Sequence, residues 1–165
     1  MGSATATGVT TTQVYEIYIK ATPDAIWRAI TSPDWTERYG YKGPIQMELR
    51  PGGSYRALSN EGMRAMGMPA VVIDGVVEEA EPPRRLVHTY RFLFSDVMKD
   101  EGFTRLTWEI EQVAPDFCSL TVTHDVSGAP IMAGQVSSRF SELGTGGWSW
   151  ILSDLKSLLE TGQTM

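Results

Sequence analysis

Apolar and polar positions alternate with a period of two through the middle of this chain and recur every three or four residues near both ends. Residues 14–20 (VYEIYIK) open the pattern as a strand rich in β-branched and aromatic residues. Thr22 then offers a helix cap, with Pro23 at the first helical position and Asp24 in the first turn. Ile26, Trp27 and Ile30 give that helix one apolar side, and Ser32-Pro33-Asp34 repeats the signal for a second short helix to about Tyr39. From residue 45 the alternation takes over. Ile45, Met47 and Leu49 alternate with polar neighbours, and the turn Pro51-Gly52-Gly53 leads into a strand over 54–58. Further strands are predicted over 70–80, 84–94, 103–113 and 119–126. Asp74-Gly75 reads as a bulge in the first of these. Pro82-Pro83 stops that strand, and Ala114-Pro115-Asp116 is a hairpin turn. The methionines at 63, 66 and 68 fall in a loop between strands, suited to varied apolar partners or to simple packing.

Phe140, Leu143, Trp148, Ile151, Leu152, Leu155, Leu158 and Leu159 restore the helical period. The helix they predict starts between Ala133 and Ser138 and ends at Thr161-Gly162, a glycine stop. About 25 residues at 1.5 Å rise make a rod of roughly 37 Å, long enough to lie across a sheet. Strand, two short helices, six strands and a long helix make an α+β fold, a helix-grip arrangement of an antiparallel sheet around an apolar cavity. Residues 13–162 are expected to form one domain after a disordered lead over 1–12.

Composition narrows the possible functions without choosing one. A net charge of −6 with scattered basic residues disfavours nucleic acid and acidic membrane surfaces as partners. Residues 1–9 carry no signal-peptide pattern, no apolar run approaches a membrane span, and the one cysteine, Cys118, suits a reducing cytoplasm. The lone cysteine and two histidines lack ligand spacing, so neither a metal nor another cofactor is expected. Cys118 and His124 share a strand face but stand about 20 Å apart along it, too far for a nucleophile and its base. Gly144-Thr145-Gly146-Gly147 lacks the lysine of a phosphate loop. No catalytic residue is assigned.

The period of two then assigns faces. Leu86, His88, Tyr90, Phe92 and Phe94 share one face, as do Leu106, Trp108 and Ile110, and Leu120, Val122, His124 and Val126. A mainly apolar wall with a few convergent polar groups is how small-molecule pockets are lined. The candidate ligand contacts are His88, Tyr90, Phe92, Trp108, Val122 and His124 on the sheet, with Trp148, Ile151 and Leu155 on the last helix. Each histidine admits two readings, a hydrogen-bonded core residue or a general base on a bound substrate. The expected partner is a small hydrophobic molecule, and the chain a monomer or homodimer.

Four ordered motifs carry a family resemblance. They are Thr22-Pro23-x-x-Ile26-Trp27-x-x-Ile30-Thr31, Leu49-Arg50-Pro51-Gly52-Gly53-Ser54-Tyr55, Gly75 through Glu81-Pro82-Pro83-Arg84-Arg85-Leu86, and Gly146-Gly147-Trp148 with Leu152, Leu155 and Leu159. Together they span about residues 14–161 and resemble the SRPBCC (START-like, helix-grip) superfamily. Within it they resemble the branch related to the C-terminal domain of the heat-shock-ninety ATPase activator and to enediyne self-resistance proteins. The resemblance implies a curved sheet gripping a C-terminal helix. It implies several activities: lipid or polyketide binding, polyketide cyclisation, chaperone ATPase activation, and antibiotic resistance by sacrifice of the protein's own backbone at a glycine Cα. For the last, Gly75 and Gly102 are the candidates.

Overall fold

The computed structural model describes residues 11–141 and 146–165. Seven strands form one antiparallel sheet: β1 (Thr12–Ile19), β2 (Ile45–Met47), β3 (Ser54–Leu58), β4 (Val71–Glu81), β5 (Arg85–Phe92), β6 (Thr104–Ala114) and β7 (Phe117–Asp125). Their order is β1-β7-β6-β5-β4-β3-β2, so the first strand pairs with the last and every other neighbouring pair is consecutive in the chain. The α+β class and the strand count agree with the sequence pattern. The alternation predicts β4 to β7 to within about two residues at each end, and Ala114 faces Phe117 across the expected hairpin turn.

Helix α1 (Pro23–Thr31) starts as its cap signal demands. The Thr22 hydroxyl accepts from the Ala25 amide at 3.2 Å, and Ile26, Trp27, Ala29 and Ile30 are buried. Helix α2 (Pro33–Thr36) is a single turn and stops short of Tyr39. The Tyr39 ring is buried, and its hydroxyl donates to the Ala29 carbonyl at 2.9 Å. Two helices were not legible in the alternation. These are α3 (Glu61–Ala65), capped by the Asn60 side chain, and α4 (Asp96–Glu101), capped by Ser95. Each is short and has no fully buried residue, so neither writes an apolar stripe.

The long C-terminal rod is corrected. The chain forms α5 (Pro130–Val136) and, separately, α6 (Gly147–Thr161), whose 15 residues span about 22 Å. Gly147 explains the break: its φ is +63°, and a Cβ there would stand 2.2 Å from the Val136 carbonyl oxygen. The close approach of the α6 start to the α5 end therefore needs glycine and forbids a continuous helix. Phe140 does not extend the stripe; it lies 58% exposed and stacks on Trp150 with ring centroids 4.6 Å apart. Leu143, Gly144 and Thr145 of the predicted helix, and residues 1–10 of the predicted lead, lie outside the described residues.

The bulge is corrected as well. Register shifts fall between Ala57 and Leu58 against β4, and between Val77 and Glu79 against β5, while Gly75 pairs normally with Tyr55. Gly75 serves close approach instead, since a Cβ on it would stand 1.9 Å from the Thr89 carbonyl oxygen. Helix α6 packs on β1 and α1 and buries Trp148, Leu152, Leu155 and Leu158. The buried Asp154 carboxylate on it accepts from the amides of Gly40 and Met165, each at 2.9 Å. That contact ties the loop after α2 to the last helix.

Candidate functional site

The inner face of β5 is the floor of the site. Strand geometry turns His88, Tyr90 and Phe92 to the same side, where α5 and α6 cover them. Tyr90 and Phe92 line a cavity of about 350 Å³ with Ile73 of β4, Trp148 and Ile151 of α6, and Val136 of α5. Its outer wall comes from Tyr41 and Phe94 and from methionines of the two short helices and the loop beside them, Met63, Met68 and Met98. A smaller adjoining cavity of about 40 Å³ shares Tyr41, Tyr90, Trp148 and Ile151 and reaches Tyr55, Leu86 and Trp108. Among the described residues, no Asp, Glu, Lys, Arg or His lines either space.

Five of the nine residues chosen from the sequence therefore meet at these cavities: Tyr90, Phe92, Trp108, Trp148 and Ile151. The other four, His88, Val122, His124 and Leu155, lie behind the wall with no exposed surface, as core residues. Parity identified the correct sheet face, but the face extends beyond the cavity, and packing depth separates lining residues from core. Tyr41, Met63, Met68, Phe94, Met98, Val136 and Gly147 were not among the nine. Phe94 shared the predicted β5 face, and the methionines stood out as an apolar segment. Ser95-Asp96 was the available cap signal for the helix that carries Met98.

The buried histidines have complete hydrogen-bond sets. His88 Nδ1 lies 2.8 Å from the Thr89 carbonyl oxygen, which can only accept, so Nδ1 carries the proton. Its Nε2 accepts from the Trp108 indole at 3.1 Å. His124 Nδ1 accepts from the Trp148 indole, also at 3.1 Å. The Thr104 hydroxyl donates its one proton to the Tyr90 carbonyl at 2.8 Å, so His124 Nε2 must donate to Thr104 Oγ1 at 2.8 Å. Both rings are thus neutral, with their tautomers fixed by neighbours. Burial holds the His88 pKa down to about 4, opposed by the bond to Thr89. Burial, and then the nearby His88, hold the His124 pKa down to about 3. Neither ring has a lone pair free for a substrate, and neither reaches the cavity. The general-base reading of these histidines therefore lacks its geometry.

Aromatic contacts fix the wall. Tyr90 meets His124 edge-on at 5.4 Å and lies 5.7 Å from Phe92 and 6.1 Å from Trp148. Trp108 and Trp148 meet edge-to-face at 5.4 Å. Each indole that shapes the cavity is thus anchored through its N–H to a core histidine. The cavity is lined mainly by apolar, aromatic and thioether groups, with Gln135 as its one amide side chain among the described residues, on a floor that cannot easily rearrange.

Among the described residues, no helix is long and apolar enough to cross a membrane, and no group of three His, Cys, Asp or Glu side chains could hold a metal. A comparison with curated proteins finds no match. Solved structures of similar fold are numerous. The Aha1 dimer of Colwellia psychrerythraea is 18% identical, with a TM-score of 0.61 over 93% of this chain and 98% of that one. CalU16 of Micromonospora echinospora is also 18% identical, with a TM-score of 0.62 over 93% of this chain and 67% of that one. DynU16, a protein in the dynemicin biosynthetic locus, is 20% identical, with a TM-score of 0.63 over 94% of this chain. Only 49% of DynU16 is matched, so this chain spans about half its length. These likenesses establish the fold. The model of one family, described as Activator of Hsp90 ATPase homolog 1-like protein, matches residues 20–160, which take in β2 to β7 and α6 to its penultimate residue, and the chain belongs to that family.

Proposed function

We propose that the protein binds a small, mainly apolar molecule in the 350 Å³ cavity and holds it without transforming it. The observation that carries this reading is the division of labour in the wall. Every imidazole is consumed by core hydrogen bonds, while Tyr90, Phe92, Trp148 and three methionines face open space. Burying apolar ligand surface there gains about 25 cal/mol per Å² before the costs of association. Thioethers on α3 and α4 let the outer wall adapt to ligands of differing outline.

The test uses protein carrying ¹³C-methyl methionine and fluorene as an apolar probe. The methyls of Met63, Met68 and Met98 are expected to shift together. Met66, which is 76% exposed and lines neither cavity, is expected to stay still. No response from the three lining methyls would sink the reading.

One observation favours a second reading, sacrificial protection against an enediyne. Gly147 lines the larger cavity, whereas Gly75 and Gly102 line neither space. A diradical formed from bound drug would take a hydrogen atom from the Gly147 Cα. Dioxygen would then oxidise the glycyl radical and lead to scission of the chain there. Mass spectrometry after incubation with an enediyne would show fragments ending at Gly147, and an intact chain would remove this reading.

A further inference from the structure

Four tyrosines cluster about the two cavities, and their hydroxyls fall into two classes. Tyr39 donates to the Ala29 carbonyl at 2.9 Å, and Tyr41 to the Leu58 carbonyl at 3.3 Å. The hydroxyls of Tyr55 and Tyr90 have no hydrogen-bond partner among the described residues. Enclosed side-chain nitrogen and oxygen atoms among those residues are all partnered, so these two oxygens must touch open space. The rings themselves are nearly inaccessible, 3% and 5% exposed; Tyr90 lines both cavities, and Tyr55 lines the smaller one that adjoins it. An unpartnered hydroxyl in so enclosed a setting costs stability unless something in the cavity completes it.

Neither ring is free to turn away. Tyr55 stacks on His88 at 3.9 Å with 15° between the planes, and that imidazole is pinned by Thr89 and Trp108. Tyr90 is wedged among Phe92, His124 and Trp148, and its centroid lies 6.1 Å from that of Tyr55. Two fixed hydroxyls therefore sit on a wall of mainly aromatic, aliphatic and thioether groups, which also holds the Gln135 amide and Thr36 and, among the described residues, no charged group.

We infer that the cavity selects an uncharged aromatic molecule bearing a carbonyl-type oxygen, which accepts a hydrogen bond from the Tyr90 hydroxyl with Tyr55 as the second donor. This rests on the binding reading above and names the ligand class for the same site. Burial pushes both phenols above their ordinary range, so they remain protonated donors at any ordinary pH. An anionic ligand would meet no cation in the wall, and a cationic one no carboxylate. A flat ring system fits between the Trp148 indole and the methionine wall.

The experiment compares fluorene with 9-fluorenone, which share a ring skeleton and differ in the one carbonyl. Dissociation constants are read from the methionine methyls for the unaltered protein, Tyr90→Phe and Tyr55→Phe. The quantity of interest is the ratio of fluorenone to fluorene affinity, since each compound's partition from water cancels between proteins. Tyr90→Phe is expected to lower that ratio about fivefold, and Tyr55→Phe by less, because a buried carbonyl loses its donor. Fluorene, which accepts no hydrogen bond, should bind both variants at least as well as the unaltered protein, which also shows that the cavity is intact. An unchanged ratio in both variants overturns this inference and leaves the binding reading standing. Silence of the methyls toward both compounds in the unaltered protein overturns the binding reading, and this one with it.

Discussion

Mild acid should weaken this protein well before its carboxylates titrate. Both histidines fold as neutral rings, with pKa values of about 4 for His88 and about 3 for His124. In the unfolded chain each returns to about 6.5 and takes up a proton freely. The folded state binds fewer protons below that value, so stability is full above about pH 7 and is lost as pH falls through 6.5. For two such groups, the loss relative to pH 8 is about 2 kcal/mol at pH 6 and about 4 kcal/mol at pH 5. A domain of this size is stable by roughly 5–15 kcal/mol, so the effect is large. Hydrogen bonds hold the carboxyls of Glu48, Asp125 and Glu160 below the carboxylate range. Their contributions are lost at lower pH than this window, which leaves pH 5 to 7 to the imidazoles. Urea unfolding at pH 5, 6, 7 and 8 measures the slope. His124→Gln keeps an amide donor toward Thr104 but removes one titration, so its loss between pH 7 and 5 should be about half that of the unaltered protein. A stability that is flat from pH 7 to 5 would refute the assignment of both rings as buried and neutral.

Three further outcomes follow from the same contacts. Trp108→Phe keeps an aromatic ring but strands His88 Nε2 without its donor, which should cost about 1–3 kcal/mol in urea unfolding at pH 7.5. A loss indistinguishable from zero would mean that the indole–imidazole bond is not formed. Gly75→Ala places a Cβ 1.9 Å from the Thr89 carbonyl oxygen, so β4 and β5 must part. It should lower stability by roughly 2 kcal/mol or more, and a neutral result would contradict the close approach. Cys118 is fully buried with its thiol donating to the Ala21 carbonyl at 3.2 Å, and burial raises its pKa. It should resist a disulfide reagent in the native state and react rapidly in urea, and fast native labelling would refute its burial.

The legible parts of this fold are those whose signal is local and periodic. Alternation from Arg85 to Phe92 and from Phe117 to Asp125 marks the central strands, because one face of each must be dry. Thr22-Pro23 marks the start of α1, because a cap satisfies an amide within three residues. What the pattern hides is set by distant partners. The separation of α5 from α6 depends on where Val136 lies when Gly147 passes it; Gly146-Gly147 signals a close approach, but nothing local names the end of α5 as its partner. A helical period of apolar residues across the gap then reads as one rod. The short helices α3 and α4 are hidden for a different reason, since their exposed turns carry no stripe.

The candidate site shows the same limit one level up. Tyr90 and His124 looked equivalent in sequence, as polar groups on neighbouring inward faces. Their roles were separated by which of them found a partner. The indole N–H of Trp148 reaches across from α6 to His124, and that of Trp108 reaches His88 within the sheet. Each histidine is thereby converted from a candidate base into a bracket for a cavity tryptophan. The Tyr55 and Tyr90 hydroxyls find no such donor or acceptor among the described residues, so they add polar capacity to the wall beside Gln135 and Thr36. Their register, at a Cα pairing that sets Tyr55 opposite Gly75 and Tyr90 opposite Thr104, places the two on adjoining parts of one sheet face. On the proposed reading, the wall offers a ligand hydrogen-bond donation from neutral phenols, beside the Gln135 amide. A chain that had kept a free imidazole at the wall would have had a proton acceptor there, and this one has used both to hold its walls still.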